Sequence, residues 1–588
     1  MLKRSEDFGF QRINDISGEL GMPEYLSPGV YIEEFEIGAK PMEGVSTSTA
    51  GFLGETERGP TTPCLITSWL QYQRVYGGYF GNDKYLPGSV DGFFKNGGKR
   101  CYIGRVVKSV TIDDENNSNY PSSPAQTANL SLEFDASKKI DELIGMTLSI
   151  EAVGEGEWGN RVAVIVSKGT FGGFRLDVFY WKTKLVSLYN PYLDTKTQPR
   201  PSASEIFDNV SVIESSPDYF GKTVNGISNL IKISIQKTIS QGEASPAEAS
   251  PDAASSTEAS SETAESDKDK PNRLNQIPSS LKDGSDGKGV LLAKEYVRDD
   301  PADDMPGKRK GLTAFKGIED ISLVYAPNAY AVPDLVSSLI SHCENLRYRF
   351  AILDAPQGFA DVSNLDPRSG NPKGASPTDY AAFYYPWIKV INPETGMLQL
   401  MPPGGYVAGI YSRSDTQRGV HKAPANEVVL GASDLEFQIM KGEQDVLNPR
   451  GVNVIRAFPG RGILIWGART ISSNTLWKYI NVRRLFIYIE ASIERGTQWV
   501  VFEPNDYRLW SRVKITITQF LTGVWRSGAL MGTTPEEAFF VKCDRSTMTQ
   551  DDIDNGRLIC IIGIAPVKPA EFVIFRIAQW QGGSAATE

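Results

Sequence analysis

Histidine is nearly absent: the chain of 588 residues has two, His342 and His421. Imidazole changes charge closest to neutral pH, so this scarcity weakens any reading of the chain as an acid–base enzyme. Cysteine is scarce as well. Cys64, Cys101, Cys343, Cys543 and Cys560 are odd in number, widely spread and without a CxxC pair. That pattern argues against a disulfide scaffold or a zinc ribbon. They read as reduced core thiols of a cytoplasmic protein. An excess of positive charge is missing too. Lys plus Arg number 61 against 71 Asp plus Glu, a net −10, which disfavours a nucleic-acid partner. No apolar run approaches the roughly 20 residues that span a bilayer; the longest, such as Leu558 to Ala565, are strand-sized. The first ten residues have basic side chains but no apolar stretch after them, so no secretory signal is expected. Together these absences predict a protein made in the cytoplasm that does not insert into a membrane.

Motifs that carry chemistry are missing in the same way. Gly284 to Gly289 lacks the GxxxxGK[ST] spacing that cradles phosphates, and Pro459 to Gly462 joins two predicted strands rather than opening a helix. The two histidines are too far apart for HExxH, and there is neither a GxSxG elbow nor an EF-hand loop. Asp113-Asp114-Glu115 and Asp551-Asp552 sit in polar, loop-like text and read as solvated charge. The expectation is no enzyme, no cofactor and no metal.

What is present is folded sequence. Apolar residues make up 40% and aromatics 10%, which is ordinary globular composition, and the length suggests three or four domains at about 150 residues each. One break interrupts it. Gln241 to Lys270 contains no Val, Ile, Leu, Met, Phe, Tyr or Trp, and carries eight acidic side chains against two lysines. Such a segment cannot offset its ordering entropy by burial, so it reads as a linker extending to about residue 289.

Before the break, Val30 to Phe35, Ala50 to Leu53 and Cys101 to Val107 read as strands, with a helix from Ser68, its N-cap, to Tyr76. Leu130 to Phe134, Val162 to Val166 and Phe174 to Tyr180 alternate like half-buried strands. After the break the pattern turns mixed. Val332 to Glu344 is helical, Arg349 to Leu353 a strand, and Ser376 to Tyr385 a helix followed by a strand. Asn448 to Ala468 reads as a hairpin, Ser473 to Glu494 and Leu509 to Ser527 as helices, and Phe539 to Cys543, Leu558 to Ala565 and Glu571 to Ile577 as strands. In Phe572-Val573-Ile574-Phe575 both alternating faces are apolar, so both should be covered. A strand of that kind near a chain end either lies at the edge of its own sheet or is donated to a neighbour's.

Several stretches resemble the contractile phage tail sheath family, which includes the sheaths of phage-tail-like injection systems. They are SPGVYIEEF (27–35), VSTSTAGFLGETERGPTTPCLITSWLQYQRVYGG (45–78), RFAILDAP (349–356), AAFYYPWIKV (381–390) and MPPGGYVAGIYSRSDTQRGVHKAPANEVV (401–429). LNPRGVNVIR, WGART, NVRRLFIYIE, FEPND, GALMG and the terminal strand continue the match, which covers roughly 30–107 and 312–580. One departure is visible: these sheaths commonly place Ser where this chain has Gly404.

The resemblance implies an α+β, multidomain protein with a discontinuous α/β core built from both chain ends. The division expected is an N-terminal arm (1–29), a first part of the core (30–107) and an inserted β-rich outer domain (108–240). A disordered acidic Ser/Ala linker (241–289), a return to the core (290–311), a central core part (312–450) and a C-terminal domain (451–588) would follow. It further implies a homo-oligomer: a helical sleeve of sheath subunits, or of paralogous sheath chains, around an inner tube protein, ending in baseplate and cap proteins. Contraction would drive the tube through a target envelope, as part of a phage tail or tail-like particle. Strands Val30, Tyr31, Ile32, Glu33, Glu34 and Phe572, Val573, Ile574, Phe575 would be donated between subunits. Lys478, Arg483 and Arg484 are candidates for facing an acidic tube. The alternatives are a non-contracting baseplate or cap component of the same fold and, more distantly, an α/β enzyme or ligand-binding protein.

Overall fold

The computed structural model describes residues 42–109, 123–134, 140–193, 198–237, 276–299, 301 and 304–576. The expected strand Val30 to Glu34 and the acidic stretch 241–270 lie outside the described residues.

The centre is a nine-stranded sheet. Its strands, in spatial order, are Glu427–Val428, Gly462–Ile465, Val452–Phe458, Ala381–Tyr385, Phe350–Asp354, Leu323–Tyr325, Ala50–Gly54, Cys101–Arg105 and Cys64–Ile66. The six from Val452–Phe458 to Cys101–Arg105 run parallel, and antiparallel strands close both edges. Because side chains alternate across a strand, neighbouring residues feed different cores. Leu323, Tyr325, Phe350, Ile352 and Tyr384 pack on one face with Val90, Phe93, Val407 and Tyr411. Val324, Ala351, Leu353 and Phe383 pack on the other with Leu312, Leu335, Leu339 and Leu447. Burial on both faces is why FAILD and AAFYY are continuous apolar runs rather than alternating ones.

Two helices of this sandwich had no clear signature. Leu86–Lys95 and Gly404–Arg418 meet backbone to backbone. A Cβ at Gly405 would lie 2.5 Å from the Ser89 carbonyl oxygen, and one at Gly409 would lie 2.4 Å from that of Phe93. Glycine is required for this approach. The same residues dilute the apolar periodicity that marks an amphipathic helix. The helix expected between Ser376 and Tyr385 does not form; that stretch stays irregular up to Ala381, where the strand begins.

The chain leaves the core after Cys101–Arg105 and rejoins it at the helix Ala293–Val297, whose Tyr296 is buried there, followed by the helix Gly311–Phe315. Between them, the strands Asn129–Phe134, Met146–Ala152 and Ile231–Lys237 make one antiparallel sheet. Ser279–Ser280, Val162–Lys168, Phe174–Tyr180 and Ala203–Val210 make a second. Both sheets share a core around Trp158, Leu148, Val164, Leu176 and Ile233. The linker therefore ends earlier than residue 289. Ser279–Ser280 pair with Ala163–Val164, Gln126 bridges to Ser285, and Leu281 is buried in this core. A single apolar residue in polar text is enough to seat the segment.

The C-terminal part also starts later than residue 451, because Val452–Phe458 and Gly462–Ile465 belong to the central sheet and Ile471 to its core. Beyond it stand the helices Ile480–Gly496 and Tyr507–Arg526 and the antiparallel pair Phe539–Lys542/Ile561–Ile564. Leu485, Ile489, Trp510, Val513, Ile517, Leu521 and Val541 form their own core. Among the described residues, no helix is long and apolar enough to cross a membrane.

Candidate assembly site

After Ile561–Ile564 the chain runs irregularly to Glu571, and there it is fastened. Arg469 donates from Nε (2.7 Å) and Nη2 (2.8 Å), Asn448 from Nδ2 (2.8 Å) and Tyr479 from its hydroxyl (2.9 Å), while the Lys478 ammonium lies 3.2 Å away. Burial alone would push the Glu571 carboxyl up, but the hydrogen bonds from Arg469, Asn448 and Tyr479 outweigh it and pull it down to about 2. The next four residues are the opposite case. Phe572, Val573, Ile574 and Phe575 are 71%, 69%, 79% and 83% exposed, and they form no strand. Among the described residues neither face is covered, against the expectation, and the segment is not an edge strand of any sheet. Side chains of this type gain about 1.5–3 kcal/mol each on burial, so the segment offers roughly 6–12 kcal/mol to whatever covers it.

The three expected tube-facing cations point elsewhere. Arg484 is 3% exposed and forms a two-pronged pair with Asp415 (Nη1–Oδ1 2.9 Å, Nη2–Oδ2 2.6 Å) beneath the Tyr411 ring. Arg483 is 5% exposed, lies over the rings of Tyr380 and Trp477, and donates to Tyr380 Oη and Glu490. Lys478 is bound to Glu571. Two adjacent arginines suggested an exposed patch, but both have carboxylate and aromatic partners inside the subunit, which is the form in which a buried guanidinium is tolerated.

The same helix also holds the first described residues. Arg484 Nη2 donates to the Thr47 carbonyl (2.8 Å), Thr47 Oγ1 donates to Asp415 (2.7 Å), and the Val45 amide donates to Ser492 Oγ (3.1 Å). Gly44 lies so close to Tyr488 that a Cβ there would sit 2.1 Å from its hydroxyl oxygen, and Met42 packs against Gly496. The roots of both chain ends are thus set along one helix, Ile480–Gly496, and its immediate N-terminal flank.

An outward cationic face does exist, on Tyr507–Arg526. Asp506 caps this helix by accepting from the Arg508 and Leu509 amides. Leu509, Trp510, Val513, Ile517, Leu521 and Val524 turn inward, leaving Arg508, Arg512, Lys514 and Arg526 exposed on a helix with no acidic residue. The signal was readable as the absence of Asp and Glu from twenty residues of an acidic protein. It was masked because its cations are dispersed rather than adjacent.

The place where an α/β sheet usually binds a ligand is the crevice at which strand order reverses, here between Ala50–Gly54 and Leu323–Tyr325. Its 340 Å³ are lined by Glu55, Asp83, Lys84, Tyr85 and Asn328, among others, without His or Cys, and Lys84 and Glu55 neutralise each other at 2.6 Å. Buried His342 is held neutral: burial and the neighbouring Arg349, whose Nη1 meets Nε2 at 2.8 Å, push its pKa down to about 3.

Residues 307–471 match the phage tail sheath protein central domain, and residues 472–579 match the phage tail sheath C-terminal domain. Residues 307–579 thus carry the central and C-terminal domains of the phage tail sheath family. The junction between the two matched domains falls at the end of the central sheet's core rather than at residue 450. The tail sheath protein of Burkholderia phage BcepMu is 25% identical over 286 residues, covering 44% of this chain and 60% of the relative. The chain thus spans less than two thirds of that sheath's length. Among solved structures, the contracted helical sheath of the anti-feeding prophage is 22% identical with a TM-score of 0.52, covering 94% of this chain and 99% of that one. The contracted sheath of the extracellular injection system PVC is 21% identical with a TM-score of 0.51, covering 95% and 99%. These two share the fold.

Proposed function

We infer that this chain is a structural subunit of a contractile sheath: it polymerises as a helical sleeve around an inner tube and contracts to drive that tube through a target envelope. The observation that carries this reading is the exposed quartet Phe572 to Phe575 immediately beyond a half-buried carboxylate clamp. A fixed root followed by an uncovered apolar segment, free to pair, is what donation to a neighbour requires. The pair Phe539–Lys542/Ile561–Ile564 is the acceptor: it is the whole of its sheet among the described residues, and Phe540 and Ile561 are about half exposed. Val30 to Glu34 is the second donated strand. The face of Tyr507–Arg526 with Arg508, Arg512, Lys514 and Arg526 replaces Lys478, Arg483 and Arg484 as the side toward an acidic tube. Subunits are made in the cytoplasm, assemble there with tube, baseplate and cap proteins, and need neither cofactor nor catalysis. The energy of the stroke resides in a metastable extended packing.

Truncation after Glu571 tests this. The shortened chain folds with an unchanged circular dichroism spectrum but forms no sheath in electron micrographs. Sleeves of normal length and diameter from the truncated chain would refute strand donation. Full-length chain seen only as short caps, never as tubes of two lengths, would favour the non-contracting relative.

A further inference from the structure

The pairing of Phe539–Lys542 with Ile561–Ile564 runs from Phe539↔Ile564 to Lys542↔Ile561. One further step in the same register sets Cys543 opposite Cys560. Both are free thiols at the same C-terminal core, Cys543 within it and Cys560 packed against it. Directly opposed residues of an antiparallel pair bring their Cβ atoms to about 4.5–5.5 Å, and a disulfide needs about 3.5–4.5 Å. The ladder has already ended at this position, so a small closure breaks no backbone hydrogen bond of the pair.

The two thiols differ in access. Cys543 is 4% exposed and belongs to the C-terminal core. Cys560 is half-buried, and with Ile493, Val500, Leu558 and Ile562 it forms the wall of a groove of about 780 Å³. Burial pushes both thiols up, Cys543 to about 12, while the neighbouring Cys543 works against the rise at Cys560. The accessible sulfur is therefore the better nucleophile. The other cysteines are differently placed: Cys101 and Cys343 are fully buried, and Cys64 donates to the Thr62 carbonyl.

We propose that Cys543 and Cys560 form a disulfide site, closed when the protein meets a small-molecule disulfide as oxidant. Cys560 loses its proton to water and attacks one sulfur of the small disulfide, forming a mixed disulfide and releasing one small thiolate. Cys543 then loses its proton and attacks the Cys560 sulfur, forming the Cys543–Cys560 bond and releasing the second thiolate. Two protein thiols are oxidised, and one small disulfide is reduced to two thiols. The bond closes the loop 544–559 and ties the strand packed on Tyr507–Arg526 to the one that continues toward Glu571. Cytosolic thiol pools keep the pair open during synthesis, and an oxidising exterior closes it.

The test uses the full chain, incubated with glutathione disulfide, quenched with acid and titrated for free thiols after denaturation. Five thiols should fall to three, with the mass two hydrogens lighter and a Cys543–Cys560 cross-link on peptide mapping of non-reduced protein. Cys543→Ser should stop at a glutathione adduct on Cys560. Mapping the wild-type chain decides the matter even if the variant misfolds. Five thiols remaining after prolonged exposure, an adduct on Cys560 with Cys543 still reduced, or a cross-link to any other cysteine would each overturn the assignment.

Discussion

Arg469 grips Glu571 along one edge, giving Nε to one carboxylate oxygen at 2.7 Å and Nη2 to the other at 2.8 Å. Paired charged hydrogen bonds of this kind fix direction as well as position. The body of the subunit thereby dictates where the C-terminal segment departs, although nothing among the described residues covers Phe572 to Phe575.

Glu571→Gln keeps the shape of this clamp and removes its charge. The body should melt within a degree or two of the wild type, since the residue lies at its margin, while the critical concentration for sheath assembly rises several-fold. The clamp also responds to acid with a defined sign. The folded pKa lies below the ordinary value, so the clamp's stabilisation is full above about pH 4.5 and is lost as pH falls toward about 2. Proteolysis of the segment after Glu571, followed by mass spectrometry across that window, measures the release.

The pair Arg484–Asp415 is buried at both ends, with each side chain 4% exposed. Removing one partner strands the other charge, so Arg484→Met or Asp415→Leu should each cost about 3–5 kcal/mol. The double variant should recover much of that. Urea titrations of the three proteins measure the coupling, and additive losses would show that the pair does not act as a unit.

Asp354 is fully enclosed at the end of Phe350–Asp354, accepting from the Tyr325 hydroxyl (2.6 Å) and the Gly404 amide (2.7 Å). Burial raises its pKa to about 7 against the pull of those two bonds. A raised acid binds protons more tightly in the folded state. Stability from this site is therefore full below about pH 4 and lost as pH rises toward 7. His342 has the opposite sign: its folded pKa of about 3 means stability is lost as pH falls from about 6.5 to about 3. Asp354→Asn should flatten the loss between pH 4 and 7 in thermal melts and leave the acid limb attributed to His342 in place.

Reversing Arg508, Arg512, Lys514 and Arg526 to Glu should leave the fold intact, because all four are exposed. Sheath that still polymerises but no longer pellets with tube would match the proposed tube-facing side. Unchanged co-sedimentation at low salt would move the tube contact elsewhere.

Much of the fold was legible in advance where a single physical rule dominates. Ser68 caps its helix by accepting from the Gln71 amide, as its position before an amphipathic run implies. Phe350–Asp354 and Ala381–Tyr385 are strands because continuous apolar runs of that length fit a doubly covered sheet. The misses arise where one residue's meaning depends on a distant one. Gly404 is read as a departure until Tyr325, distant in the chain, is seen to fill the space a Cβ would need, 2.1 Å from its Cε2. Arg483 and Arg484 read as surface until Tyr380 and Asp415, far off in the chain, supply their partners. The exposed Phe572 to Phe575 reads as a covered strand because apolar pattern records that something covers it, not which molecule.

The helix Ile480–Gly496 has a mechanical consequence. Its N-terminal flank holds the C-terminal segment through Tyr479 and Lys478, and its length holds residues 42–47 through Arg484, Tyr488 and Ser492. Seventeen residues make a rod of roughly 25 Å. A pull on residues 42–47 would reach Glu571 along this rod, sharing the load there with Arg469 and Asn448 at the edge of the central sheet and bypassing the inserted domain. In a chain of linked subunits, tension would then run from rod to rod as in a tendon, and the rest of each subunit would be free to turn around it.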